Sequence, residues 1–166
     1  MFRGCFGSPT RPVSSEFVSG TAEFLTIERV AVLQRVDLFS TVPGPVLVGV
    51  ARVLEEVRFA SGQPVIVRGA LEDWLFVVAS GSVRVHIGDQ TLSERGPGSV
   101  FGELAILSPA PRSASVTASE PSMLLRLRRQ PFEELLHDRA EIGRAVIIGL
   151  ARRLQELADR DAAGAK

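Results

Sequence analysis

Two side chains of opposite charge, Glu103 and Arg112, flank a short proline-containing loop in the stretch SVFGELAILSPAPRSASVTA at 99–118. Val100 and Phe101 close an apolar strand, and Gly102 turns the chain into a short helical run, Glu103, Leu104, Ala105, Ile106 and Leu107. Ser108, Pro109, Ala110 and Pro111 break that run, and Arg112 leads through Ser113, Ala114 and Ser115 into a new alternating strand. A carboxylate therefore stands at a helix start and a guanidinium just before a strand. Gly102, beside the carboxylate, lets a ligand approach the backbone closely. Helix-start N–H groups favour an anion, and a guanidinium offers a planar fork of donors matched to phosphate oxygens. Glu103 would repel a phosphate and suits instead a group that donates to it, such as a ribose hydroxyl. A phosphate and a sugar hydroxyl held side by side describe a nucleotide site. The plainer alternative is that Glu103 and Arg112 pair with each other across the loop.

These residues need a scaffold, and the hydrophobic periodicity supplies one. Ile27, Val30, Ala31 and Leu33 recur at helical spacing over 26–36, with Thr26 as the expected N-cap. Leu47, Val50, Ala51 and Leu54 mark a second helix, with Pro43 or Pro45 in its first turn. From Glu55 the period changes to two, and strands are expected at 55–59, 65–68, 74–79, 82–87, 90–95, 100–101, 113–118 and 123–127. Gly-containing turns such as Ser80-Gly81 and Gly88-Asp89 separate them. A short helix opens at Gln130-Pro131, and another from about residue 141 carries Ile142, Val146, Leu150, Leu154 and Leu157 as a stripe. The pattern predicts a mainly β fold, an eight-stranded antiparallel β-roll of jelly-roll type with helices before and after it. Residues 1–20, rich in Gly, Ser and Pro, read as a tail or linker, 21–160 as the domain, and 161–166 as a C-terminal tail.

Composition narrows the function classes. The chain's 166 residues suffice for one domain with its own core. Its 19 basic and 19 acidic residues cancel, which argues against direct nucleic-acid binding. Cys5 is the only cysteine, so no intrachain disulfide forms and a cytoplasmic compartment is expected. No apolar run reaches the roughly 18 residues of a membrane span. With His86 and His137 the only histidines, neither a metal site nor a catalytic cofactor is expected. Nothing places a nucleophile beside a base, so the chain does not read as an enzyme.

The run FGELAIL, a short loop and PRSASV together resemble the phosphate-binding cassette of cyclic-nucleotide-binding domains. That family includes the regulatory subunits of cyclic-AMP-dependent protein kinase, cyclic-nucleotide-gated channels and bacterial cyclic-AMP receptor proteins. The resemblance extends over about residues 26–158, with its specific part at 99–118. It implies that Glu103 takes the ribose 2′-hydroxyl, that Arg112 takes the exocyclic phosphate oxygens, and that Ser113 touches phosphate or base. Phe101, Gly102, Leu104, Ala105, Ala114 and Ser115 complete the implied ligand-binding set. The implied ligand is a 3′,5′-cyclic nucleotide, cAMP preferred and cGMP accepted, and the implied role is that of a sensor or regulatory domain. The last two helices become a hinge and a lid, with Arg153 near the base. The stripe at Leu150, Leu154 and Leu157 reads equally as the seam of a homodimer. The chain departs from the family at 68–73, a loop remote in sequence from Glu103 and Arg112, so the departure is expected to bear on loop shape more than on the phosphate site. The alternative function is a degenerate roll that serves as a protein-interaction module without ligand; the effector it would act on is not identifiable from the sequence.

Overall fold

A computed structural model of the chain describes residues 24–108 and 110–164, without the side chains of 153, 157 and 160–164. The tail expected at 1–20 lies outside the described residues. Helix α1 (Thr26–Gln34), a single 3-10 turn at Asp37–Phe39 and helix α2 (Gly44–Val53) precede the strands. Thr26 does not cap α1: Leu25 is the N-cap residue, and the Glu28 carboxylate accepts its N–H at 2.7 Å. The strands are β1 (Glu55–Phe59), β2 (Pro64–Ile66), β3 (Trp74–Ser80), β4 (Val83–Ile87), β5 (Gln90–Arg95), β6 (Val100–Phe101), β7 (Ser115–Ala118) and β8 (Ser122–Arg128). Helix α3 (Glu103–Leu107) interrupts them, and α4 (Arg129–Asp138) and α5 (Ala140–Gly164) follow.

The strands form two four-stranded sheets, ordered β1-β8-β3-β6 and β2-β7-β4-β5, with every pairing antiparallel. First pairs with last, second with seventh, third with sixth and fourth with fifth, which is the wrapping of a β-roll. Two strands are shorter than their alternation suggests, for one reason. Gly69 donates to the Arg112 carbonyl at 2.8 Å and Arg112 to the Ala70 carbonyl at 3.0 Å. Arg68 donates instead to Ser115 Oγ, at 3.0 Å. Loop-to-loop bonds thus replace ladder bonds beyond Ile66 and before Ser115.

The core has two parts, and β3 and β8 belong to both. Leu75, Val77, Leu125 and Leu127 face the helices, where they pack with Leu33, Phe39, Leu47, Phe132 and Ile142. Phe76, Val78 and Leu124 face into the roll, against Ile66, Val83, Phe101 and Val116. Burial on both faces explains why these two strands are almost continuously apolar where their neighbours alternate. The stacked rings of Phe76 and Phe101, 5.4 Å apart, clamp β6 to β3 immediately before Gly102. The polypeptide therefore enters the cassette from a fixed point.

Candidate functional site

Arg112 is buried, with 6% of its surface exposed. Its Nη2 donates to the Trp74 carbonyl at 2.7 Å and its Nη1 to the Gly102 carbonyl at 3.3 Å. Its Nε lies 3.5 Å from Glu72 Oε2, an ion pair that leaves Nε without a hydrogen bond among the described residues. Burial pulls the Arg112 pKa below its ordinary value, while the charges of Glu72, Asp73 and Glu103 act the other way. The guanidinium nonetheless stays charged at neutral pH, because its intrinsic basicity is so high. A buried cation fixed by two neutral carbonyls and one partly exposed carboxylate is a prepared seat for an anion.

Gly102 makes this seat sterically feasible. It adopts φ 77°, in the left-handed region, as the N-cap of α3. A Cβ there would lie 2.6 Å from Arg112 Nη1 and 2.9 Å from the Trp74 carbonyl oxygen. Ala105 N–H donates to the Gly102 carbonyl at 3.2 Å, so the same carbonyl starts the helix and holds the arginine.

These groups line a cavity of about 260 Å³. Phe101, Gly102, Glu103, Leu104 and Ala105 supply one wall, and Arg112, Ser113 and Ala114 another. Ile66, Val85 and Val116 form an apolar floor from the second sheet, and Arg95 enters from the end of β5. Of the residues expected from the sequence, Ser115 alone is not part of the lining; its hydroxyl accepts the Arg68 N–H. Arg112 and Glu103 are brought to one cavity, and the ion pair of Arg112 is with Glu72.

The loop before β3 requires a correction. Remote in sequence, it is in direct contact with Arg112: Gly69, Ala70 and Glu72 all bond Arg112, and the Trp74 carbonyl at the start of β3 accepts the shortest hydrogen bond of its guanidinium. The Trp74 ring in turn lies under Arg126 and Arg128, at 4.0 and 4.9 Å from its centroid. Glu72, Trp74 and Arg95 are thus site residues that local motif reading misses. Cross-strand pairing gives the signal for Arg95, which pairs with buried Val83 and so shares its inward face.

A second cavity of about 430 Å³ adjoins the first, sharing Arg95 and Glu103 as lining. Helix α5 borders this second cavity through Gly149, Leu150, Arg152 and Glu156, and none of its described side chains lines the first. It packs on the 3-10 turn at Leu38. Leu150 is partly buried there and Leu154 is exposed, while the side chains of Arg153 and Leu157 fall outside those described. Among the described residues no cluster could hold a metal ion, and no helix is long and apolar enough to cross a membrane.

Comparison with known proteins agrees with this geometry. A family model described as "Cyclic nucleotide-binding domain" matches residues 56–139. The cAMP-dependent protein kinase regulatory subunit of Yarrowia lipolytica is 34% identical over 110 residues, 66% of this chain and 29% of that protein. The Cyclic AMP receptor protein of Thermus thermophilus is 39% identical over 103 residues, 59% of this chain and 48% of that protein. The chain thus spans less than half the length of either relative. Among solved structures, the N-terminal domain of a transcriptional regulator from Streptomyces coelicolor superposes with a TM-score of 0.70 at 31% identity, covering 78% of this chain and 94% of the other. The fold, the buried arginine in its glycine-gated cassette and the family match converge: this chain belongs to the cyclic-nucleotide-binding domain family.

Proposed function

We propose that the domain is a sensor that binds a 3′,5′-cyclic nucleotide, cyclic AMP first and cyclic GMP as well, in the cavity between Glu103 and Arg112. The observation that carries this is the Arg112 guanidinium, buried and oriented by two carbonyls at the wall of a cavity that also contains a carboxylate. Arg112 takes the exocyclic phosphate oxygens through donors not given to Trp74 and Gly102. Glu103 accepts from the ribose 2′-hydroxyl, and Ser113 adds a hydroxyl at the phosphate. The printed names of two relatives, a cAMP-dependent kinase regulatory subunit and a cyclic AMP receptor protein, support cyclic AMP as the ligand. The domain performs no chemistry on it; binding is the output, passed to an effector. Calorimetric titration tests this, with saturable one-to-one binding of cyclic AMP expected. The 2′-deoxy analogue should bind about 1.5–3 kcal/mol more weakly, the value of a hydrogen bond to a charged group. One observation favours a second reading, a roll used for protein interaction: Glu72 already partly neutralises Arg112. Absence of binding by either nucleotide would support that reading.

A further inference from the structure

Trp74 gives its main chain to the site, and its side chain accounts for how that main chain is kept in place. Its carbonyl accepts the shorter of the two guanidinium hydrogen bonds of Arg112, 2.7 Å against 3.3 Å for the Gly102 carbonyl. Yet Trp74 is the first residue of β3, and β6 pairs only with Phe76 and Val77. The carbonyl thus lies beyond the last rung of the β3–β6 ladder, at a strand end, where backbone is least restrained. On its other side Trp74 pairs with Arg128 of β8, and Arg126 stands two residues away on the same face. Both guanidiniums cover the indole, Arg126 at 4.0 Å and Arg128 at 4.9 Å from its centroid. A carboxylate holds each of them in turn. Glu55 of β1 accepts from Nε and Nη2 of Arg126 at 2.9 and 2.7 Å, and Asp73 lies 3.4 Å from Nε of Arg128. The ring is therefore gripped by three adjacent strands, directly behind the peptide that holds Arg112.

We infer that Trp74 is a positioning residue for the ligand phosphate: the Arg126–Trp74–Arg128 stack fixes the end of β3, and the fixed Trp74 carbonyl sets the angle of the Arg112 fork. A cation over an aromatic face is attracted by the ring quadrupole, and tryptophan is the best such face. Exposed ion pairs such as Arg126 with Glu55 add little stability by themselves. Here they restrain a ring, and through it a peptide that β6 does not reach. The guanidinium is a rigid plane of five donors, so a turn of that plane redirects every donor left for the phosphate. A fork held in one orientation before the ligand arrives also spares the cost of ordering it on binding. The inference rests on the phosphate binding at Arg112 proposed above and adds what orients it. The two exocyclic oxygens of a cyclic phosphate are stereochemically distinct, so an oriented fork must tell them apart.

The test is binding of cyclic AMP and of its two phosphorothioate diastereomers, in which sulfur replaces one or the other exocyclic oxygen. The full chain is compared with Trp74→Leu, Trp74→Phe and Arg126→Met. The unaltered chain should prefer one diastereomer. Trp74→Leu removes the stack and should weaken cyclic AMP by about threefold to tenfold, the worth of one or two exposed cation–π contacts. It should also shrink the ratio between the diastereomers, because the fork no longer keeps one angle. Arg126→Met lies at the surface, leaves the fold intact and should shrink the ratio in the same direction. Trp74→Phe keeps an aromatic face under Arg126 and should restore most of the ratio. Weakening of all three ligands by one common factor would mean that Trp74 supports the fold and does not orient the phosphate, and would overturn the inference. So would unchanged binding by Trp74→Leu and Arg126→Met, or an unaltered chain that binds both diastereomers equally. If the unaltered chain does not bind cyclic AMP at all, the proposed function itself falls and this inference with it.

Discussion

Arg112 is held by contacts that come from two distant parts of the chain, and this governs how its strength can be tuned. Trp74 and Gly102 orient the guanidinium with carbonyls, which do not compete with a phosphate. Glu72 does compete, since its carboxylate faces Nε at 3.5 Å. Glu72 is partly exposed, so solvent screens the pair to no more than about 1 kcal/mol. Glu72→Gln should accordingly tighten cyclic-nucleotide binding by about twofold to fivefold, as the phosphate no longer meets a neighbouring negative charge. Weaker binding by Glu72→Gln in the same titration would show that Glu72 positions Arg112 and does not oppose the ligand. At this scale Glu103 and Arg112 were legible in the sequence because one short cassette carries both. Glu72 and Arg95 were not, because strand pairing, and not sequence proximity, delivers them.

Among the elements, the turn into α3 is the tightest fit. The φ of 77° at Gly102 and the 2.6 Å approach that a Cβ would make to Arg112 Nη1 act together. Gly102→Ala forces a side chain into the left-handed region, a strain of about 1–3 kcal/mol, and displaces the arginine as well. The variant should melt several degrees lower and bind cyclic nucleotide much more weakly; a lower melting temperature with unchanged affinity would mean that the cassette tolerates a displaced Arg112. The change of period after α2 and the turn residues between segments made all eight strands legible in the sequence, although β3 and β8, buried on both faces, are apolar runs that do not alternate. Their ends were less legible. The strands expected at 65–68 and 113–118 stop short at Ile66 and begin late at Ser115, where loop 68–70 and Arg112 bond to each other in place of the ladder. At the α1 start, Leu25 occupies the N-cap position expected for Thr26, and Glu28 compensates by accepting the Leu25 N–H.

Across the whole molecule, Arg129 ties the cassette to the C-terminal helices. Arg129, at the start of α4, donates through Nη2 to the Ala105 carbonyl of α3, and its backbone N–H donates to the Asp73 carbonyl at 3.0 Å. Helix α4 packs on α5, and α5 on the 3-10 turn, where a Cβ at Gly149 would approach Leu38 Cα to 3.0 Å. A ligand that draws α3 toward Arg112 therefore acts on α5 through Arg129, to the extent that it binds one arrangement of these helices more tightly than another. Amide exchange across 141–158 should slow at saturating cyclic nucleotide; protection confined to 99–118 would mean that α5 takes no part in the response. The helices were legible from their apolar stripes, but whether α5 covers the nucleotide was not, since a stripe of leucines serves a lid and a packing face alike. All of this depends on a phosphate meeting Arg112. The most direct measurement is the dissociation constant of cyclic AMP for the unaltered chain and for Arg112→Ala and Arg112→Lys, with circular dichroism confirming that each variant is folded. Loss of a charge-assisted contact worth about 1.5–3 kcal/mol predicts binding weakened by roughly 10-fold to 150-fold in Arg112→Ala, with Arg112→Lys in between. A folded Arg112→Ala that binds cyclic AMP as tightly as the unaltered chain would contradict the account.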